Sequence, residues 1–172
     1  MINYLIKEIK KCLENEIYIV ALTTALILPD ICGKAEFPDE KPANRYKEWL
    51  KRNINFEKSI ISSDEIYQLR CCLLHEGCPT FYKEKNRIGE FELLIQPFKS
   101  ANKTMQSRNN IGSKSVRTIN VEYLCEIIYI AAGEYFNKNK EKFNFFNYRI
   151  VNTDSRTASI FKISDDCVKF NL

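Results

Sequence analysis

The sequence is poor in the residues that build most catalytic and metal centres. It contains one histidine, His75, and its seven cysteines form neither a Cys-x-x-Cys pair nor a second ligand cluster. This spacing argues against a zinc site, and adjacent cysteines in a helical pattern cannot readily bond to each other. We therefore expect no metal, no cofactor, and free buried thiols in a reducing cytoplasm. Any histidine-dependent chemistry must use His75.

Glycine and proline are also scarce, at five residues each, and neither a Gly-rich phosphate loop nor a nucleophile elbow occurs. Hydrophobic residues make up 45% of the chain and charged residues 28%, which excludes a disordered polymer and suffices for a core. The longest apolar stretch, residues 17–28, is too short to cross a bilayer. We expect a single cytoplasmic domain over residues 1–172, with no membrane association.

Hydrophobic periodicity predicts a mainly α-helical fold, a bundle of about five helices. Pro29-Asp30 and Gly33 should end the second helix, and Ser62 with Glu65 forms a capping box before the fourth. Alternation over residues 81–98 predicts a small β-hairpin or extended excursion, residues 99–118 read as a loop, and the chain beyond residue 140 reads as mixed structure. The predicted helices are Ile2–Glu14, Glu16–Leu28, Ala43–Ile54, Ser63 to His75 or Glu76, and Val121–Asn137.

Positive charge is concentrated in one segment that lacks acidic residues. Residues 1–99 hold equal numbers of basic and acidic side chains, so the net charge of +4 falls in residues 100–172. No acid occurs between Glu92 and Glu122, and such a stretch could follow a phosphate backbone. The alternative is a solvated loop. The RNA-contact candidates are Lys99, Lys103, Arg108, Lys114 and Arg117.

The predicted fourth helix carries the one candidate chemical centre, Arg70 and His75. An arginine can hold a phosphate bidentately, and a histidine can move the proton of a ribose hydroxyl near neutral pH. Five positions on an ideal helix separate two side chains by about 140°. We therefore expect either that the helix unwinds near Gly77 and turns His75 round, or that a second copy completes the site across a two-fold interface.

The segment around these residues is similar to a known motif. Residues 67–77 resemble the Arg-x4-6-His signature of HEPN domains, which lies at the C-terminal end of a helix in an all-helical bundle. A group of bacterial proteins further shares segments that match residues 28–33, 45–49 and 69–77, about the first half of the chain. Cys71 stands where many HEPN domains have Asn, Asp or His after the arginine.

This resemblance implies a metal-independent, dimeric endoribonuclease, of a kind often found in toxin-antitoxin or phage-defence systems. Arg70 would hold the phosphate and His75 would be the general acid or base, with RNA as substrate, a homodimer as the active form and an antitoxin protein as a possible partner. The alternative is a non-catalytic HEPN-like module that binds RNA, a nucleotide or a protein. In that case His75 would bond a nearby carbonyl and Arg70 would form a structural salt bridge.

Two further residues are supporting candidates for this site. Asp30 could pair with Arg70 or Arg45 and orient it, although it could equally just end a turn beside Pro29. Tyr67 lies on the same helical stripe as Arg70.

Overall fold

The helices form most of the fold, and their first three members are built from the N-terminal third of the chain. The computed structural model describes residues 1–55, 61–77, 80–83, 87–95, 108–111, 114–145, 149–151 and 160–162. Within them the α-helices are α1 (Ile2–Glu14), α2 (Tyr18–Glu36), α3 (Pro42–Asn53), α4 (Ser63–Cys71) and α5 (Val121–Lys138). A π turn (Cys72–Glu76) continues α4, and a 3₁₀ turn (Lys140–Phe143) follows α5. The prediction of a mainly helical fold with about five helices is confirmed.

Helix α2 is the centre of the bundle and packs against α1, α3, α4 and α5. Ten of its residues are buried, so burial supplies the stability that isolated helices lack. Gly33 lies so close to α3 that a Cβ added there would be 2.8 Å from the backbone oxygen of Arg45. Trp49 and Leu50 of α3 complete this core, as their helical spacing predicts.

The predicted end of the second helix at Leu28 is wrong, because α2 continues through Pro29 to Glu36. An interior proline removes one backbone hydrogen bond and costs about 3 kcal/mol. Pro29 is itself buried, and the tertiary packing on both sides of it outweighs this cost. Near the proline, the buried Tyr46 hydroxyl donates a 3.1 Å hydrogen bond to the carbonyl of Leu26.

The continuation of α2 also corrects the estimate of its apolar length. At 19 residues and a mean hydropathy of 1.4, the helix is long and apolar enough to cross a membrane by length and composition alone. However, 56% of that apolar window is buried inside the protein, which is the environment of a core helix.

A small sheet lies beside the helices. Its strands are β1 (Thr80–Lys83), β2 (Arg87–Leu94), β3 (Arg108–Ile111) and β4 (Lys114–Asn120), in the order β1-β2-β4-β3. Strands β1 and β2 form the predicted hairpin, with Phe81 opposite Gly89. A separate pair, β5 (Arg149–Val151) and β6 (Ile160–Lys162), is antiparallel.

The predicted loop over residues 99–118 is wrong for its described part, which forms β3 and most of β4. Strand β4 pairs in parallel with β2, with Leu93 opposite the fully buried Ile119. A parallel partner lies far away in the sequence, so the local richness in Asn, Ser and Lys could not reveal it.

The described cysteines are free thiols, and Cys32, Cys72 and Cys125 are buried as predicted, whereas Cys12 and Cys71 are only half-buried. Burial raises the pKa of Cys32, and burial with the nearby Glu122 raises the pKa of Cys125 to about 12. Cys78 and Cys167 lie outside the described residues.

Candidate functional site

The candidate site lies at the C-terminal end of α4, whose start and inward face are fixed by local signals. Ser62 accepts a hydrogen bond from the backbone N–H of Glu65, and the Glu65 carboxylate accepts one from the backbone N–H of Ser62. This capping box is the predicted one. Ile66, Leu69 and Cys72 are buried, which leaves Arg70 at the edge of the core with 19% of its side chain exposed.

The end of the helix is a π turn rather than a further α turn. The backbone N–H of Gly77 donates a 2.8 Å hydrogen bond to the carbonyl of Cys72, five residues back, and Gly77 adopts a left-handed φ of 62°. A π turn holds about one residue more than an α turn, and such turns occur frequently at functional sites. The additional residue in this turn places His75 nearer to the Arg70 side of the helix than a regular α-helix would.

The π turn brings Arg70 and His75 together within one chain. The Arg70 Nη1 and the His75 Nε2 lie 2.5 Å apart, and the imidazole is exposed to solvent. Of the two predicted ways to overcome the 140° separation, local unwinding next to Gly77 is the one observed. A second copy of the helix is not needed for these two groups to meet.

The Asp30 carboxylate contacts the Arg70 guanidinium at nitrogens other than the one that faces His75. Its Oδ2 accepts a 3.0 Å hydrogen bond from Nε and lies 2.9 Å from Nη2, in an ion pair that links α2 to α4. The prediction that Asp30 pairs with an arginine is confirmed for Arg70, and the alternative that it ends a turn is wrong because it lies inside α2. Burial raises the pKa of Asp30, and the positive charge of Arg70 only partly opposes this effect.

The Tyr67 ring packs beside the site. Its ring meets the buried Tyr46 ring edge-on at 5.3 Å between centroids, and the Lys47 ammonium lies 5.3 Å from its centre. Burial, together with Cys71, raises the pKa of Tyr67. Tyr67 therefore supports the cluster through packing, and Lys47 covers one face of its ring.

Arg117, the basic RNA-contact candidate whose side chain the structure describes, is not available at this site. The guanidinium of Arg117 is only 2% exposed and forms two 2.7 Å contacts with Glu65, so its predicted contact with RNA is wrong in this structure. The local sequence could not predict this outcome, because Arg117 lies in β4 and its partner carboxylate lies in α4, far away in the chain. Arg108 and Lys114 lie in β3 and β4, and Lys99 and Lys103 fall outside the described residues.

The arrangement at the end of α4 can bind an anion and transfer a proton. The Nη1 of Arg70 and the exposed imidazole of His75 face each other, so an anion that separates them would meet a donor on one side and a titratable nitrogen on the other. Within the described residues no group of three or more His, Cys, Asp or Glu side chains could hold a metal ion.

No relative of this chain was identified among known proteins. The sequence matches no known family, and neither a similar curated protein nor a similar solved structure was found.

Proposed function

We propose that the protein is a metal-independent endoribonuclease of the HEPN type, in which Arg70 and His75 act on one phosphodiester of an RNA strand. The observation that carries the proposal is the 2.5 Å approach of Arg70 Nη1 to His75 Nε2 at the surface end of α4. A guanidinium and a titratable imidazole within reach of one phosphate are the groups that RNA transesterification needs.

The proposed reaction uses the RNA's own ribose as nucleophile. The 2′-oxygen attacks the adjacent phosphorus, the bond from phosphorus to the 5′-oxygen breaks, and the products are a 2′,3′-cyclic phosphate and a 5′-hydroxyl. One His75 takes the proton of the 2′-hydroxyl, a second imidazole in the proposed homodimer gives a proton to the leaving 5′-oxygen, and Arg70 Nη1 stabilises the charge on the non-bridging oxygens.

Asp30 prepares Arg70 for this role. The carboxylate occupies Nε and Nη2, so the guanidinium plane is fixed and only Nη1 points toward His75. A group held in place before the substrate arrives loses little conformational entropy on binding. Arg70 would then hold the phosphate through one nitrogen rather than through its bidentate fork.

The same ion pair favours the second candidate function, a non-catalytic module that binds RNA, a nucleotide or a protein. Arg70 and Asp30 are each about four-fifths buried and neutralise one another, as a structural salt bridge does. In this alternative His75 only caps the helix end, and its removal would alter stability rather than turnover.

A homodimer remains part of the proposal, because one chain supplies one imidazole and the reaction uses both an acid and a base. Exposed apolar residues on one stripe of α2 support a contact there: Ile19, Val20 and Ile27 are 48%, 50% and 38% exposed. Light scattering of the purified protein would give the mass of the assembly. An antitoxin-like protein partner is also proposed, from the resemblance alone, and a cytoplasmic location is proposed from the free thiols.

Cleavage of RNA in EDTA tests the proposed function. We expect the wild type to cleave single-stranded RNA and to leave 2′,3′-cyclic phosphate ends, and His75→Ala to lose activity by about 10²–10⁴-fold. Lys51→Gln, an exposed change on α3, serves as the matched control. Cleavage by His75→Ala at the wild-type rate would exclude this histidine from the mechanism, and a folded wild type that cleaves no RNA would favour the binding module.

A further inference from the structure

A second arginine, Arg45, has its backbone and stem fixed beside the site. A Cβ added to Gly33, one turn along α2 from Asp30, would lie 2.8 Å from the Arg45 backbone oxygen and 3.4 Å from its Cγ. The next residue of α3, Tyr46, is completely buried and hydrogen-bonded to α2. The backbone and the stem of Arg45 are therefore held against the same helix that carries Asp30.

Arg45 differs from Arg70 in that no carboxylate among the residues the structure describes forms an ion pair with it. Its Nε is buried without a hydrogen-bond partner, and it forms no ion pair with any residue that the structure describes. Burial raises the pKa of Asp30, while the charges of Arg70 and then Arg45 lower it, which places both cations in the field of one carboxylate.

The charges of the cluster do not balance without an anion. Asp30 neutralises Arg70, so these two groups alone offer a phosphate little net attraction. Arg45 adds a positive charge that no ion pair within the described part of the chain compensates, and a partly buried charge without a partner is unfavourable until one binds. A phosphate of an RNA strand placed at His75 would supply that partner.

We infer that Arg45 is a substrate-binding residue, which holds a backbone phosphate of the RNA strand bound at Arg70 and His75. The inference rests on the proposed function, because it concerns the same site. Arg45 makes the same contact before and during the reaction, so its loss should weaken binding and raise KM while kcat stays close to that of the wild type.

Binding of a short fluorescein-labelled 2′-O-methyl RNA, followed by fluorescence anisotropy, tests this inference without cleavage of the probe. The salt concentration is varied from about 50 to 200 mM, because each lost phosphate contact lowers the slope of log K against log salt by about 0.7 for a single strand. The variants are Arg45→Gln and, as control, Lys51→Gln, which removes one positive charge from the exposed end of α3. If Arg45→Gln has a lower melting temperature than the wild type, Arg45→Met, which keeps the stem packed on Gly33, is used in its place.

The expected result is weaker binding and a shallower salt slope for Arg45→Gln alone, with a higher KM and an unchanged kcat on cleavable RNA. Three results would overturn the inference: equal binding by Arg45→Gln and wild type, an equal loss in Lys51→Gln, or no binding of the probe by the wild type. If the wild type binds the probe but does not cleave RNA in EDTA, the nuclease proposal fails. The binding data alone then test whether Arg45 contacts the RNA.

Discussion

The length of the π turn sets the distance between Arg70 and His75, and changing it by one residue tests the site geometry. Side-chain tips about 5.5 Å from the axis of an ideal α-helix, five positions apart, lie about 13 Å from each other. The π turn reduces this to 2.5 Å between Nη1 and Nε2. Removing or adding one residue should therefore have opposite effects on the site.

Deletion of Leu74 leaves four positions between the two residues, which suits an ordinary α-helix. The two side chains would then be about 40° apart around the axis and about 7 Å apart at their tips, which a flexible arginine can span. We expect this variant to keep most of the cleavage activity. Insertion of an alanine between Leu73 and Leu74 gives six positions, about 120° and again about 13 Å in a regular helix, and should lower cleavage by about 100-fold or more.

The assay is cleavage of labelled RNA in EDTA by the wild type and both length variants, with circular dichroism melts to confirm that each is folded. A folded insertion variant with wild-type activity would refute the reasoning, because the activity would then not depend on the approach of the two groups. A folded deletion variant with no activity would also contradict it.

Three further predictions concern stability and are measured by urea denaturation. Gly33→Ala should destabilise the fold by about 2–3 kcal/mol, since the new methyl group meets the backbone oxygen of Arg45 at 2.8 Å; a loss below the error of the measurement would contradict this close approach. Glu36 has a lowered pKa, chiefly because Lys142 donates a hydrogen bond to it, so its contribution is present above its ordinary pKa of 4.5 and disappears as the pH falls through the lowered value. Glu36→Gln should lose about 1–2 kcal/mol at pH 7 and converge with the wild type in acid, whereas a pH-independent difference would count against this contact. Arg117→Ala should cost about 3–5 kcal/mol, because the largely buried Glu65 carboxylate would lose its cation and keep only its contacts with Ser62; a neutral effect would argue that the pair is exposed in solution.

Local signals were sufficient for the elements that depend on their own residues. The stripe of α1, the capping box at Ser62 and the Asn120 cap of α5 each involve contacts within a few positions, and these helices begin where the sequence predicts. Asn120 accepts a 3.0 Å hydrogen bond from the backbone N–H of Tyr123, as its type and place indicate.

The predictions that are wrong concern contacts between distant parts of the chain. Pro29 indicates a helix end, but packing of four helices around α2 overrides this preference. Strand β4 needs β2 as its parallel neighbour, and Arg117 of β4 needs Glu65 of α4, so neither outcome can be predicted from the residues around them.

The candidate site was predicted in part. Its two principal residues are the ones that the motif indicates, and Asp30 pairs with Arg70 as one of the alternatives proposed. The π turn could not be predicted, because a glycine after a helix indicates only where the helix stops, not whether the last turn holds an additional residue. The sequence indicates Arg45 only as a possible partner of Asp30, and its lack of an ion pair within the described residues depends on how α2 and α3 pack together.

The most direct test of the central claim is the rate of RNA cleavage in EDTA by the wild type, Arg70→Ala, His75→Ala and the double variant. If the two side chains act on the same phosphate, each single change should remove most of the activity, and the double variant should cleave little more slowly than either single variant. Independent losses that multiply in the double variant, or wild-type cleavage by His75→Ala, would contradict a shared site.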